Sequence, residues 1–415
     1  MNNKLCKIQI TPVNFSIFNN YVTKLDKIQI YRLSKILHRC KVAHLNATSI
    51  GGGVAETLRR LIPVMNDLGI HTSWFVLPPD QNLFRITKSI HNYIQGRKGI
   101  LSSDDISYYL RYNRVIAQCM RSVRADIWVV HDPQPLPSIY FLNNSSAKNI
   151  WYCHIDPSSP NRQTWKFLHQ YLKKYHHFIF SSKNYIPDDI SSSHVSIVPP
   201  AIDPTSLKNK FLNSYEAKHI IKSFRINTAR PLICQVSRFD PWKDPWGVID
   251  AYRIAKKSIP QLQLAFVAQT ATDDPEGEII YQDVQRYAKG DKDIYFIVNA
   301  KNNDKIVNAF QTGSDIIIQK STREGFGQTV CEAMWKKKTV IGGDTSGIRT
   351  QIESGVNGYI IASSQECADK IVKLLQNPNL RKRLGLVAHK KVRENFLLPR
   401  LIMDYLILFK KLYQL

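Results

Sequence analysis

A chain of 415 residues has room for two or three domains, each with a core of its own, which rules out a small disulfide-stapled module. Its 43% apolar, 10% aromatic and 22% charged residues are those of a globular protein, neither disordered nor fibrous. Against 33 acidic residues stand 57 Lys and Arg, and the resulting formal charge of +24 points to an anionic partner: nucleic acid, an anionic membrane surface or a phosphorylated small molecule.

In chain order, Met1 to Ile30 is interrupted by Lys4, Lys7, Lys24, Asp26 and Lys27 and lacks the unbroken apolar core of an export signal. From residue 41 onward, short β-branched and aromatic runs alternate with longer amphipathic stretches, the pattern of βαβ units on a parallel sheet. Strands are expected at Lys41–Asn46, His71–Leu77, Asp126–Asp132, Asn149–Ile155, Phe178–Ser182 and Val195–Val198. A second set is expected at Leu232–Ser237, Leu262–Ala268, Ile294–Val298, Asp315–Gln319, Thr339–Ile341 and Gly358–Ala362. Two such sets predict an α/β fold with two doubly wound, Rossmann-like domains, over 41–200 and 231–396, after an N-terminal extension of 1–40. Between the domains, a Pro-Pro turn and a polar, Lys-rich stretch with a helix near Ser214–Phe224 read as a linker region, 201–230. Seven scattered cysteines with no C-x-x-C argue against both a disulfide framework and a zinc site, and so for a reducing, cytoplasmic setting. No uncharged run approaches the roughly 20 residues that span a bilayer.

In doubly wound sheets, ligands sit beyond the carboxyl ends of the strands, and two facing domains would hold them in a cleft. The first strand ends in Asn46–Glu56, where Gly51, Gly52 and Gly53 open a helix. Such glycines let backbone N–H groups approach an oxyanion, although a tight turn would use them equally. Neither G-x-G-x-x-G nor the P-loop spacing is present. His131-Asp132 and Cys153-His154-Ile155-Asp156 close two further strands. Imidazoles and carboxylates there suit sugar hydroxyls, and singly they also serve as structural histidines and helix caps.

In the second half, Arg238 and Lys243 follow a strand, five residues apart. A planar fork beside a point charge suits a diphosphate. Glu324 precedes Gly325-Phe326-Gly327-Gln328-Thr329 and the helix that carries Glu332. Glu324 can therefore touch a ligand at the helix N-terminus, where neighbouring amides can hold a phosphate, and Glu332 lies about two turns in. Asp291-Lys292-Asp293 has the form of a metal-binding Asp-x-Asp, but it stands at the amino end of its strand and reads as a charged turn, so no metal is expected.

As a set, Ser49–Glu56, His131–Pro135, Cys153–Asn161, Gln235–Lys243, Asp273–Gly277, Arg323–Gly327 with Glu332–Trp335, and Gly347–Ile352 resemble one group of enzymes. These are the trehalose glycosyltransferring synthases, within the retaining GT-B glycosyltransferases of the Glu-x7-Glu type, glycosyltransferase family 4. The resemblance implies two facing Rossmann-like domains with a cleft, an acceptor domain first and a nucleotide-sugar domain second, and a last helix over 397–415 crossing back to the first. It implies transfer of a glucosyl unit from a nucleoside diphosphate glucose to glucose, giving α,α-trehalose. No metal or other cofactor is expected beside the basic pair, and with no basic-aromatic motif or helix-turn-helix signal no nucleic-acid partner is expected. Retention is then explained by same-face attack through an oxocarbenium-like state, without a protein nucleophile.

By the same resemblance, Arg238 and Lys243 would grip the diphosphate, and the Gly325–Thr329 segment would line the nucleotide site. Glu324 would touch the donor sugar, Glu332 the ribose hydroxyls, His154 the reacting centre and Asp132 the acceptor sugar. The Gly51–Gly53 loop would close over phosphates and acceptor. Phosphorolysis of trehalose, as in the similar fungal-type trehalose phosphorylases, stays an alternative. So does a lipid or glycan acceptor at an anionic membrane, which the charge and the amphipathic tail would suit; homodimer formation is open as well. Residues 1–40 and Thr205–Arg230 match the family poorly, and Lys336-Lys337-Lys338 stands where a glycine is expected in the middle.

Overall fold

The computed structural model describes residues 5–143, 145–269 and 276–413. Its apolar runs form β1 (Cys6–Lys7), β2 (Lys41–Asn46), β3 (His71–Val76), β4 (Ile127–His131), β5 (Lys148–Cys153), β6 (His177–Phe180) and β7 (Val195–Ile197). They continue as β8 (Leu232–Val236), β9 (Gln263–Ala268), β10 (Ile294–Val298), β11 (Ile316–Gln319), β12 (Val340–Gly343) and β13 (Tyr359–Ile361). The first sheet has the order β1-β3-β2-β4-β5-β6-β7 and the second β10-β9-β8-β11-β12-β13. Every pairing is parallel except β1 against β3. Helices cover both faces of such sheets, so central strands such as β4 and β8 are buried along their whole length and read as nearly continuous apolar runs, broken by Gln235 in β8 and closed by His131 in β4.

The chain divides into two units. The first runs to Pro200 and regains the C-terminal helix Leu398–Tyr413; the second runs from Ala201 to Leu397. Arg400 on that last helix donates to the Pro199 and Pro200 carbonyls at 2.7 and 3.1 Å. Leu401, Ile402, Tyr405, Leu406 and Phe409, spaced for one helical face, are all buried. The amphipathic tail thus spends its apolar face on the core of the first unit. Among the described residues no helix is long and apolar enough to cross a membrane.

Two segments differ from expectation. The N-terminal extension is integral to the first unit: β1 pairs with the edge of β3, Phe15 and Phe18 are fully buried, and the Phe15 N–H donates to Asp67 Oδ2 at 2.8 Å. The region 201–230 is no bare linker either. Its helix Ser214–Lys222 carries Ala217 and Ile221 on one stripe, and both are fully buried against the helix Asn303–Gly313. Gly313 makes the approach possible, since a Cβ there would stand 2.4 Å from Ile221 Cδ1.

Candidate active site

In the first unit β2, β4 and β5 are neighbours, so their carboxyl ends bring the glycine loop, Asp132 and His154 to one edge of the sheet. Gly51 and Gly52 hold φ of 77° and 76°, the left-handed region that favours glycine. A Cβ at Gly52 would meet nothing within 4 Å, so conformation and not crowding calls for glycine there. The helix Gly52–Asp67 starts in this loop, with no side chain capping it at Gly51.

Asp132 is itself left-handed, with φ 61°. Its Oδ1 accepts the His154 backbone N–H at 2.8 Å, and its carbonyl accepts Trp151 Nε1 at 3.0 Å. The carboxylate assigned to the acceptor sugar therefore also fixes the end of β5. His154 Nε2 lies 2.9 Å from His131 Nδ1, and His131 Nε2 lies 3.0 Å from His44 Nδ1. The His44 and His154 rings lie edge to edge with His131, with centroids 5.3 and 5.2 Å away and ring planes 21° and 18° apart. Burial pushes the His44 and His154 imidazoles down to about 3 and His131 well below the usual range, so all three are neutral near pH 7.

In the second unit the neighbours β8, β11 and β12 supply the equivalent edge. Arg238 follows β8, partly exposed, and Lys243 ends the short 3-10 turn Pro241–Lys243, which Asp240 caps. Lys243 Nζ is ion-paired with Glu324 Oε2, and the Ser321 hydroxyl donates to the same oxygen at 3.1 Å. A carboxylate only accepts, so the direction of the remaining chain is fixed: Gln319 Nε2 donates to Ser321 Oγ at 3.0 Å, and Thr329 Oγ1 donates to Gln319 Oε1 at 3.1 Å. Beside it, Lys320 pairs with Asp244, and a Cβ on Gly247 would fall 2.2 Å from that carboxylate.

The Gly-Phe-Gly turn is held from several sides. Gly327 (φ 83°) leads into the helix Gln328–Trp335. Phe326 is buried against Phe396, and Gln351 Nε2 donates to the Phe326 and Gly327 carbonyls. Gln328 Nε2 reaches the Ala201 carbonyl at 3.2 Å. The loop after β12 presses on the Gly325 backbone: a Cβ at Gly347 would lie 2.4 Å from the Glu324 carbonyl oxygen and 2.8 Å from Gly325 C.

Of the residues singled out in the sequence, the fold brings Lys243, Glu324 and Thr329 into one network in the second unit, and Asp132 and His154 into another in the first. Glu332 is set apart. It is 2% exposed, with Oε2 accepting from Gln311 Nε2 at 3.1 Å and Oε1 3.7 Å from Lys208 Nζ. Sequence reasoning missed Lys208, Gln311, Lys320 and His44, whose partners are distant in the chain. Asp273, Asp274 and Pro275 of the acidic motif lie outside the described residues. Asp291 and Asp293 are engaged by Lys256, and Asp293 also by Arg230 at 2.7 Å, as expected of a charged turn.

Residues 216–391 match the family described as glycosyl transferases group 1. The fold is that of an alpha,alpha-trehalose-phosphate synthase (UDP-forming) from Burkholderia vietnamiensis, with a TM-score of 0.71 at 14% identity over 90% of this chain and 98% of the other. The chain's two Rossmann-like units thus have the GT-B fold, and the second carries the group 1 glycosyl transferase match. Residues 44–187 match the trehalose synthase N-terminal domain. A trehalose synthase of Rubrobacter xylanophilus is 41% identical over 389 residues, 92% of this chain and 93% of the relative. One from Thermococcus litoralis is 41% identical over 365 residues, 88% of each. The chain belongs to the trehalose synthase family.

Proposed function

We propose that this glycosyltransferase transfers a glucosyl unit, with retention, from a nucleoside diphosphate glucose to glucose, giving α,α-trehalose, and that the reaction runs in either direction. The observation that carries the reading is the placement of Lys243 against Glu324, with Arg238 nearby in sequence, at the carboxyl ends of adjacent parallel strands. Breaking the bond from sugar to phosphate puts negative charge on the diphosphate and positive charge on the ring. Preplaced cations stabilise the first, and a buried carboxylate stabilises the second. An incoming diphosphate competes with Glu324 for Lys243, which loosens the carboxylate toward the donor sugar. Arg238 adds a bidentate fork for the phosphate oxygens, so this chemistry needs no metal. The departing phosphate oxygen takes the acceptor's proton, and no side chain acts as nucleophile. In the first unit His154 and Asp132 offer the mixed donors and acceptors that a sugar's hydroxyls require.

Anomeric NMR of the protein with several nucleotide glucoses and candidate acceptors tests this. The expected product is α,α-trehalose, with the rate falling by roughly 100-fold to 1,000-fold in Glu324→Gln and Arg238→Ala. Transfer untouched by both substitutions would remove the assigned site. Incubation with trehalose plus inorganic phosphate, against trehalose plus a nucleoside diphosphate, separates the phosphorylase reading: glucose 1-phosphate forming only in the first mixture would replace the proposal.

A further inference from the structure

We infer that His44 and His131 are positioning residues that lock His154 in the tautomer carrying its proton on Nδ1, so that the ring meets the sugar as a hydrogen-bond donor. This rests on the reading of His154 as a sugar-contacting residue. Four ring nitrogens in series make two contacts, His44 Nδ1 to His131 Nε2 at 3.0 Å and His131 Nδ1 to His154 Nε2 at 2.9 Å. Each contact holds one proton, and a neutral imidazole carries one, so the choice made at His44 dictates the next two. Burial keeps all three rings neutral.

The far end decides the direction. His44 is fully buried, and its Nε2 has no hydrogen-bond partner. If His44 held its proton there, a buried N–H donor would be left without a hydrogen-bond acceptor. Folded proteins leave buried N–H groups unpaired more rarely than acceptors. His44 therefore carries its proton on Nδ1 and donates to His131, which donates from Nδ1 to His154 Nε2. His154, partly exposed at the end of β5, is left with Nδ1–H as its remaining polar atom. The relay is absent from any local motif because His44 and His131 are 87 residues apart.

Long-range proton–nitrogen correlation NMR on the ligand-free protein, labelled with nitrogen-15 histidine, reads the tautomers directly and independently of activity. Nδ1-protonated patterns are expected for all three rings, and an Nε2-protonated His154 overturns the inference. Kinetics supply the second arm. His131→Leu should lower kcat roughly tenfold with KM little changed, because the ring stays in place but samples both tautomers. His131→Gln, whose amide can accept from His44 and donate to His154, should recover most of that loss. Equal losses in both variants would reduce His131 to a packing role. If the unmodified protein makes no trehalose while its His154 is Nδ1-protonated, the functional reading falls and the relay stands.

Discussion

Lys337 adopts φ 61° directly after the helix Gln328–Trp335 and its cap Lys336, at the position where helices commonly turn left-handed through a glycine. The glycine missing from the Lys336–Lys338 run is thus missing where backbone geometry wants one. A left-handed conformation costs a residue with a side chain roughly 1–2 kcal/mol. Glycine gives back roughly 0.5–1 kcal/mol through its freer unfolded chain. Lys337→Gly should therefore raise stability by roughly 0.5–1 kcal/mol, seen as a later urea midpoint at unchanged slope.

The neutral histidines make the fold acid-sensitive. Between about 6.5 and about 3 the unfolded chain holds protons on His44 and His154 that the native state does not, so stability falls as pH drops through that window. Asp404, whose carboxyl burial pushes up, works in the opposite sense over the carboxylate range. Unfolding at pH 7 and pH 5 should show the loss. His44→Phe should shrink it; a slope unchanged by that substitution would mean that other groups carry it.

Among the elements, the end of β12 and the short helix Ser346–Arg349 that follows it press most closely on the Ser321–Gly325 backbone. Gly343 and Gly347 both face backbone of the Ser321–Gly325 segment, at 2.0 and 2.4 Å from where a Cβ would be. Neither contact can be relieved by a side-chain rotation, so the loop or the Glu324 backbone has to move. Gly347→Ala should cost kcat more than tenfold, since displacing a positioned carboxylate by about 1 Å costs on the order of 100-fold. The loss should come with a lowered melting temperature. A variant with native kinetics would show that Glu324 tolerates the shift. The C-terminal helix is tested by Phe409→Ala, a fully buried ring, which should destabilise the first unit by roughly 3–5 kcal/mol in equilibrium unfolding.

For the whole molecule the charge of +24 has two components. Part of it is internal. Lys336 donates to Asn209 and Gln311, and the Lys338 ammonium, which burial lowers to about 8, donates to the Ser314 carbonyl, whereas Lys208, Lys256 and Lys320 are cancelled by their acidic partners. The remainder lies at the surface as mutual repulsion, which salt screens over a Debye length of about 30 Å at 0.01 M and about 8 Å at 0.15 M. Melting temperature should therefore rise across that range in sodium chloride. A fall would show that the ion pairs outweigh the repulsion.

The twelve strands from residue 41 onward were legible because a parallel sheet buried on both faces demands continuous apolar runs, and that demand is local. So was the placement of the glycine loop, Arg238, Lys243 and Glu324 just beyond strand ends, because strand boundaries are also set locally. The short β1 carried too little pattern, and Ala217 and Ile221 read as linker until a partner helix covered them. Spacing placed Glu332 about two turns into its helix, and only the tertiary structure showed that Gln311 and Lys208 meet its carboxylate there. Which cation meets which carboxylate, and which histidine meets which, was decided only when strands distant in sequence became neighbours. Hydrogen bonds and ion pairs act over a few ångströms of space and keep no record of separation along the chain.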